Sequence, residues 1–285
     1  MKKLIIAVTM LAGLGLNAAA YFDGGLTGTT GPGGYKGMNL NLVIGSGNLA
    51  IEPSLATYTN DDPLLDGKTY RTYALRGAWE AEKYTIGAFA GTTPKVNNYT
   101  NAFVGGDITF SLTPGSGGHS RLAGPGSRGG TSGGKGVTRI DVGAGLKQTL
   151  HTDSSGTTDK KTGQTEGSLF AGAKILMVNL SASYTGYKYG DEDFAPQVFV
   201  SGLNFVQAAK PRSSVNVKLD LPGQPLVTPF VSYTGSKYKG AEDSSAYLFG
   251  AYIDLSMVTA NVGYQIFSQN SHSKSFMTMG VGLKF

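Results

Sequence analysis

Residues 275–285 constrain this chain more than any other stretch. Met277, Met279, Val281, Leu283 and Phe285 fall on one face of an extended strand, and Thr278, Gly280, Gly282 and Lys284 on the other, because side chains alternate with period two. A strand that is apolar on one side must set that side against a core or a lipid phase. No run in the 285 residues reaches the ~20 apolar residues of a membrane-spanning helix. Spanning strands carry a much weaker hydropathy signal, so that observation leaves them open.

The other end of the chain reads as an export signal. Lys2 and Lys3 precede an apolar stretch from Leu4 to Leu16, and Ala18, Ala19 and Ala20 supply small residues for cleavage. Residues 1–20 are therefore expected to be a signal peptide and 21–285 the mature domain. Removing Lys2 and Lys3 lowers the formal charge from +5 to +3, too small an excess for a nucleic-acid partner without clustered Lys and Arg. The absence of Cys suits an oxidising compartment.

From Tyr35 onward the period-two pattern repeats and no helical period appears. Strands are expected over residues 38–44, 49–55, 68–80, 83–92, 101–112, 137–150, 168–175, 180–189, 194–206, 213–221, 226–236, 245–255, 257–268 and 275–285. Phe22 to Thr29 offers one more. Tight turns are expected near residues 80–83, 178–179 and 255–257, and residues 151–167 read as a polar loop. Ser183-Tyr184-Thr185-Gly186 with its following acidic turn recurs as Ser232-Tyr233-Thr234-Gly235, the echo expected of a meander of similar hairpins. Residues 113–136 break the pattern. They are mostly Gly, Ser and Pro with His119, Arg121, Arg128 and Lys135 and no acid, the composition of a mobile loop.

The greasy-out, small-in last strand ending on Phe285, behind an export signal, resembles the Gram-negative outer-membrane β-barrel proteins, porin-like members included. The resemblance implies an all-β, antiparallel, up-and-down transmembrane barrel of 12 to 14 strands. It implies an outer-membrane location, contact with membrane lipids and with the periplasmic and outer-membrane assembly machinery, and Val281, Leu283 and Phe285 as part of the assembly signal. A secreted soluble β-protein would show the same alternation. Charge helps to separate the two: Glu52, Arg76, Glu80, Asp107, Arg139, Asp141, Lys147, Lys174, Asp254 and Lys284 all lie opposite the apolar set. In a barrel they line the pore, since a Lys or Arg turned to lipid at the midplane costs roughly 2–4 kcal/mol. Tyr58, Tyr184, Tyr187, Tyr189, Tyr233 and Tyr238 lie near strand ends, where an interfacial girdle is expected.

Enzymatic chemistry finds little support. Ser271 or Ser273 beside His272 offers a nucleophile and base, but Ser is ordinary in a polar loop, so no catalytic residue is assigned. Acidic turns at Asp61-Asp62, Asp191-Glu192-Asp193 and Glu242-Asp243 lack the spaced ligands of a calcium loop and read as solvated. Gly143-Ala144-Gly145 lies in a strand pattern, not before a helix, and neither cofactor nor metal is implied. The remaining function is a passive pore for small hydrophilic solutes, or a non-conducting structural or surface-binding envelope protein. Inward glycines at 87, 143, 145, 172, 263, 280 and 282 favour an open lumen, and residues 113–136 are expected to fold into it.

Overall fold

A computed structural model describes residues 20–61, 67–113, 121–125, 127, 138–191, 210–222 and 226–285. The expected signal peptide lies outside them except for Ala20, as do residues 194–206 and most of 113–136. Fourteen strands are described: β1 (Ala20–Thr30), β2 (Lys36–Ser46), β3 (Leu49–Thr59), β4 (Tyr70–Glu80), β5 (Tyr84–Val96), β6 (Tyr99–Ser111) and β7 (Thr138–Asp153). They continue as β8 (Lys160–Ile175), β9 (Val178–Tyr189), β10 (Pro211–Asp220), β11 (Val227–Tyr238), β12 (Ser244–Leu255), β13 (Val258–Gln269) and β14 (His272–Lys284). Each pairs antiparallel with its neighbour in sequence, and β1 pairs with β14, so the sheet is a closed barrel.

Closure follows from the backbone. Every strand N–H and C=O that faced lipid unpaired would cost several kcal/mol, and a ring has no edge. At the seam Asp23 faces Lys284 and Thr29 faces Thr278 in register. Phe22 and Phe285 exchange two backbone hydrogen bonds, 2.6 and 2.9 Å, and stack with ring centroids 5.0 Å apart.

The two faces are the reverse of a soluble barrel. Leu49, Leu75, Val104, Leu146, Leu169 and Met279 are exposed on the outside, whereas Arg76, Asp107, Arg139 and Asp141 are buried within. An apolar exterior this continuous marks a membrane-facing surface.

Several boundaries differ from the sequence expectation. The region of Phe22 to Thr29 is indeed β1. β9 pairs directly with β10, Leu180 opposite Leu219, so the wall closes without residues 194–206. The expected loop 151–167 is largely ladder: His151 faces Thr162 and Thr149 faces Gln164, and these polar side chains point inward, where polarity is no bar to a strand. The turn placed at 178–179 lies two residues earlier, at Leu176 and Met177, with Leu176 at φ 55°.

The termini, the turns at 47–48, 176–177 and 256–257, and the segment between β6 and β7 share one barrel end. In outer-membrane barrels the end that carries the termini and short turns is the periplasmic one. Replacing outward Met279 by Arg is expected to cost about 2–4 kcal/mol. Urea unfolding from phospholipid vesicles, read through the fluorescence of Trp79, the sole Trp, checks this.

Candidate functional site

The inward charges gather into short-range pairs. Arg76 uses its planar fork: Nη1 donates to Glu52 Oε1 at 2.5 Å, while Nε and Nη2 reach both oxygens of Asp107 at 3.0 and 2.7 Å. Bidentate geometry of this kind is available to Arg and not to Lys. Gly87 makes room for it, because a Cβ there would lie 2.5 Å from the guanidinium. Lys147 donates to Glu166 at 2.8 Å, and Lys284 to Asp254. Tyr21 reaches from β1 to donate to Glu80 at 2.5 Å. Arg139 pairs with Asp141 at 3.0 Å. Lys174 sits inward, opposite Arg139 on the neighbouring strand. All ten charged residues expected inside are there.

Besides Asp23 on β1, which lines the larger cavity, sequence reasoning missed interior charges later in the chain, Glu166, Lys218 and Asp220 among them. Each has the same parity as an inward residue on its own strand, Ser168, Asn216 and Lys218 respectively. Glu166 went unseen because its stretch read as a loop.

The segment between β6 and β7 enters the interior. Arg121, only 2% exposed, donates from Nε to Thr85 Oγ1 at 2.7 Å, from Nη1 to Ser111 Oγ at 3.0 Å and from Nη2 to the Ala81 carbonyl at 2.6 Å. The Leu122 N–H donates to Asp141 Oδ2 at 2.9 Å, and Ser111 donates to Oδ1 of the same carboxylate at 2.5 Å. Asp141 therefore holds a wall cation, a wall hydroxyl and the backbone of the segment together. Two glycines make the docking fit. Gly124 adopts φ +82° and lies against Phe170, and a Cβ at Gly172 would be 2.5 Å from that of Leu122.

These contacts revise two expectations at the residues they involve. A Gly- and Ser-rich segment was expected to be mobile, yet residues 121–125 and 127 are pinned by one buried Arg and one buried Asp. The inward glycines were expected to leave open space. Gly87, Gly143, Gly172 and Gly280 instead accommodate, in turn, the Arg76 guanidinium, the Phe170 ring, the docked segment and the Asn261 amide.

Cavities flank the segment. One of about 570 Å³ is lined by Asp23, Glu52, Arg76, Asp254 and Lys284, and another of about 390 Å³ by Ser181, Ser183, Thr185 and Lys218. Pro125 and Ser127 line both. At the end away from the termini, Tyr35, Tyr58, Tyr70, Tyr99, Phe267 and Phe276 pack into an interior cluster. Burial raises the pKa of the Tyr35 hydroxyl in the β1–β2 loop.

That cluster corrects the tyrosine girdle. Tyr58 stacks on Tyr70 at 5.2 Å, Tyr238 bonds to Ser244 at 2.9 Å, and Tyr187 and Tyr189 share the inward row of Thr185. Only Tyr184 and Tyr233 of the six face outward.

The histidines form no catalytic constellation among the described residues. His151 lies inside, bonded to Tyr99 at 2.7 Å and Gln164 at 2.9 Å. His272 is exposed, its Nδ1 2.6 Å from the Asn270 carbonyl, while Ser273 pairs with Ser268 at 2.8 Å. His119 lies outside the described residues. No cluster of three or more metal-ligating side chains occurs among those described, and Asp61, Asp191, Glu242 and Asp243 are exposed.

No family model matches the chain, and no curated protein sequence matches it. Solved structures resemble it in fold. CdiB from Acinetobacter baumannii shares 10% identity at TM-score 0.50 over 93% of this chain, which spans only 60% of the CdiB chain. The CymD monoaromatic hydrocarbon channel shares 10% identity at TM-score 0.51, over 94% of this chain and 89% of that one. At such identity the likeness is one of fold, and it agrees with the closed barrel.

Replacing Arg76 by Ala leaves Glu52 and Asp107 inside without their cation. An expected loss of about 3–5 kcal/mol, only partly recovered by Arg76→Lys, is measurable by urea unfolding in vesicles.

Proposed function

We propose that the protein is an outer-membrane pore for small hydrophilic solutes, narrowed from the periplasmic end by the segment between β6 and β7. The observation that carries this reading is the inversion of faces: an apolar exterior around a polar interior that keeps cavities of about 570 and 390 Å³ on the two sides of the segment. Fourteen strands lie between the eight that side chains fill and the sixteen to eighteen that leave a wide channel. A modest pore suits that number.

In this reading Glu52, Arg76, Glu80, Asp107, Arg139, Asp141, Lys147, Lys174, Asp254 and Lys284 line or brace the passage. Their pairing argues against a strong preference for one ionic sign. Arg121, the described cation of the segment, is spent on the wall and supplies no free positive charge. The outward Val281, Leu283 and Phe285 remain exposed, as surfaces for lipid and for the assembly machinery. The solute class in the CymD name, monoaromatic hydrocarbons, fits the charged interior poorly.

The interior aromatic cluster favours the alternative, a non-conducting envelope protein. Conductance across planar bilayers decides between them. Ohmic channels are expected from the native chain. Arg121→Ala, which removes three polar contacts, and Gly172→Ala, whose Cβ displaces Leu122, should each raise the conductance. Complete absence of channel events from native and variant chains would sink the pore reading.

A further inference from the structure

The outer surface carries charge of one sign at one end. On the described strands no Asp or Glu takes an outward position, and outward Lys and Arg occur only near the end away from the termini. Lys188 on β9, Arg212 on β10 and Lys237 on β11 stand together there. Lys237 faces Ser213, and Ser213 faces Gly186, two residues from Lys188. Arg212 is the extra residue of a bulge, where the β10–β11 register shifts between Pro211 and Ser213. A bulge re-aims a side chain, and this one leaves Arg212 exposed on the outer surface. None of the three makes an ion pair or side-chain hydrogen bond with a described residue.

Beside these cations the wall is notched. Leu146, Gly167, Gly186 and Ser213 lie side by side on four successive strands, β7 to β10. The two glycines leave the middle of that row without side chains. A Cβ at Gly167 would meet nothing within 4 Å, and one at Gly186 would meet only the Tyr184 side chain, at 3.8 Å. The result is a groove of about 420 Å³ on the outside of the barrel, walled by Leu146 and Tyr184 and rimmed by Thr165, Lys188 and Arg212. Lys188 follows Gly186 by two residues, about 7 Å nearer the membrane surface.

Together the groove and its rim call for one amphiphile. Leu146 and Tyr184 give it apolar walls, and an outward tyrosine at the edge of the apolar band lies at head-group level. Cations just beyond that level gain from an anion held at the membrane surface. A guanidinium matches phosphate bidentately, and a lysine ammonium binds it as a point charge. A soluble anion would leave the groove unfilled, and an uncharged lipid would leave the cations unmatched.

We propose that the groove on the outside of β7–β10 binds a phosphate-bearing lipid of the outer leaflet. One acyl chain lies in the notch over Gly167 and Gly186. Lys188 and Arg212 hold the phosphate, with Lys237 at its edge. The site needs the membrane-facing exterior and not an open pore.

The test uses the full folded chain in detergent, with dipalmitoyl phosphatidic acid as the probe. Dipalmitoylglycerol supplies the chains without the phosphate, and glycerol 3-phosphate the phosphate without the chains. Native mass spectrometry reads what the barrel retains. One phosphatidic acid is expected to stay bound, with dipalmitoylglycerol lost and glycerol 3-phosphate unable to displace the lipid at equal concentration. Lys188→Ala with Arg212→Ala should weaken retention roughly tenfold or more. Gly167→Leu, which fills the notch, should weaken it with both cations in place. Lys188→Gln and Gly167→Ala serve if either variant loses the heat-modifiable mobility of a folded barrel. Equal retention of dipalmitoylglycerol, displacement by glycerol 3-phosphate, or undiminished retention by the variants overturns the site. Lipid retention without any channel events overturns the pore and leaves the lipid site standing.

Discussion

The hydrogen-bond ladder between β1 and β14 is the interaction on which everything else rests. Without it the sheet would present two rows of unpaired backbone groups to lipid, a penalty no side-chain contact offsets. With it, register is set all the way round. Asp23 opposite Lys284 fixes which residues of β14 face inward, and a one-residue slip would turn Lys284 to lipid and Leu283 to the interior. The Phe22–Phe285 stack, with its two backbone hydrogen bonds, closes the last step of the seam.

A ring of this size has more interior than its own side chains fill, and the chain meets that surplus in three ways. Near Arg76, paired charges brace neighbouring strands, and their mutual satisfaction makes burial tolerable. At the end away from the termini, aromatic rings stack inward. At the end that carries the termini, the segment with Arg121 enters the interior, held by Thr85, Ser111 and the Ala81 carbonyl. Its anchoring joins the three bonds of Arg121 to Asp141, which accepts from Arg139, Ser111 and the Leu122 backbone at once. Docking is thus polar and reversible in kind, unlike the apolar packing that would weld a segment into a soluble core.

Much of this was legible in period two alone. The alternation of Met277 to Phe285 names the outer face of β14, and the ten inward charges follow from the same parity. Tyr58 was misread because nearness to a loop outweighed its parity with Glu52 and Ser54, which already places it inside. Tyr187 and Tyr189 follow Thr185 in the same way. Residues 151–167 defeated the reading for another reason: polar side chains such as Gln164 and Glu166 signal a loop in a soluble protein, but inside a water-facing barrel they are ordinary strand residues. Docking of the Gly-rich segment was not legible. It depends on Thr85, Ser111 and Asp141, which lie on three different strands and converge only when the ring closes.

The same geometry explains why the interior has two characters. Cross-strand neighbours in the β3–β6 wall bring opposite charges into register, Glu52 beside Arg76, so the charges of that wall satisfy one another. On β9 the inward row is neutral, and Asn216, opposite Ser183 on β10, already donates to Ser232 and Thr234. Barrel closure thus decides both where charge is cancelled and where polarity remains available.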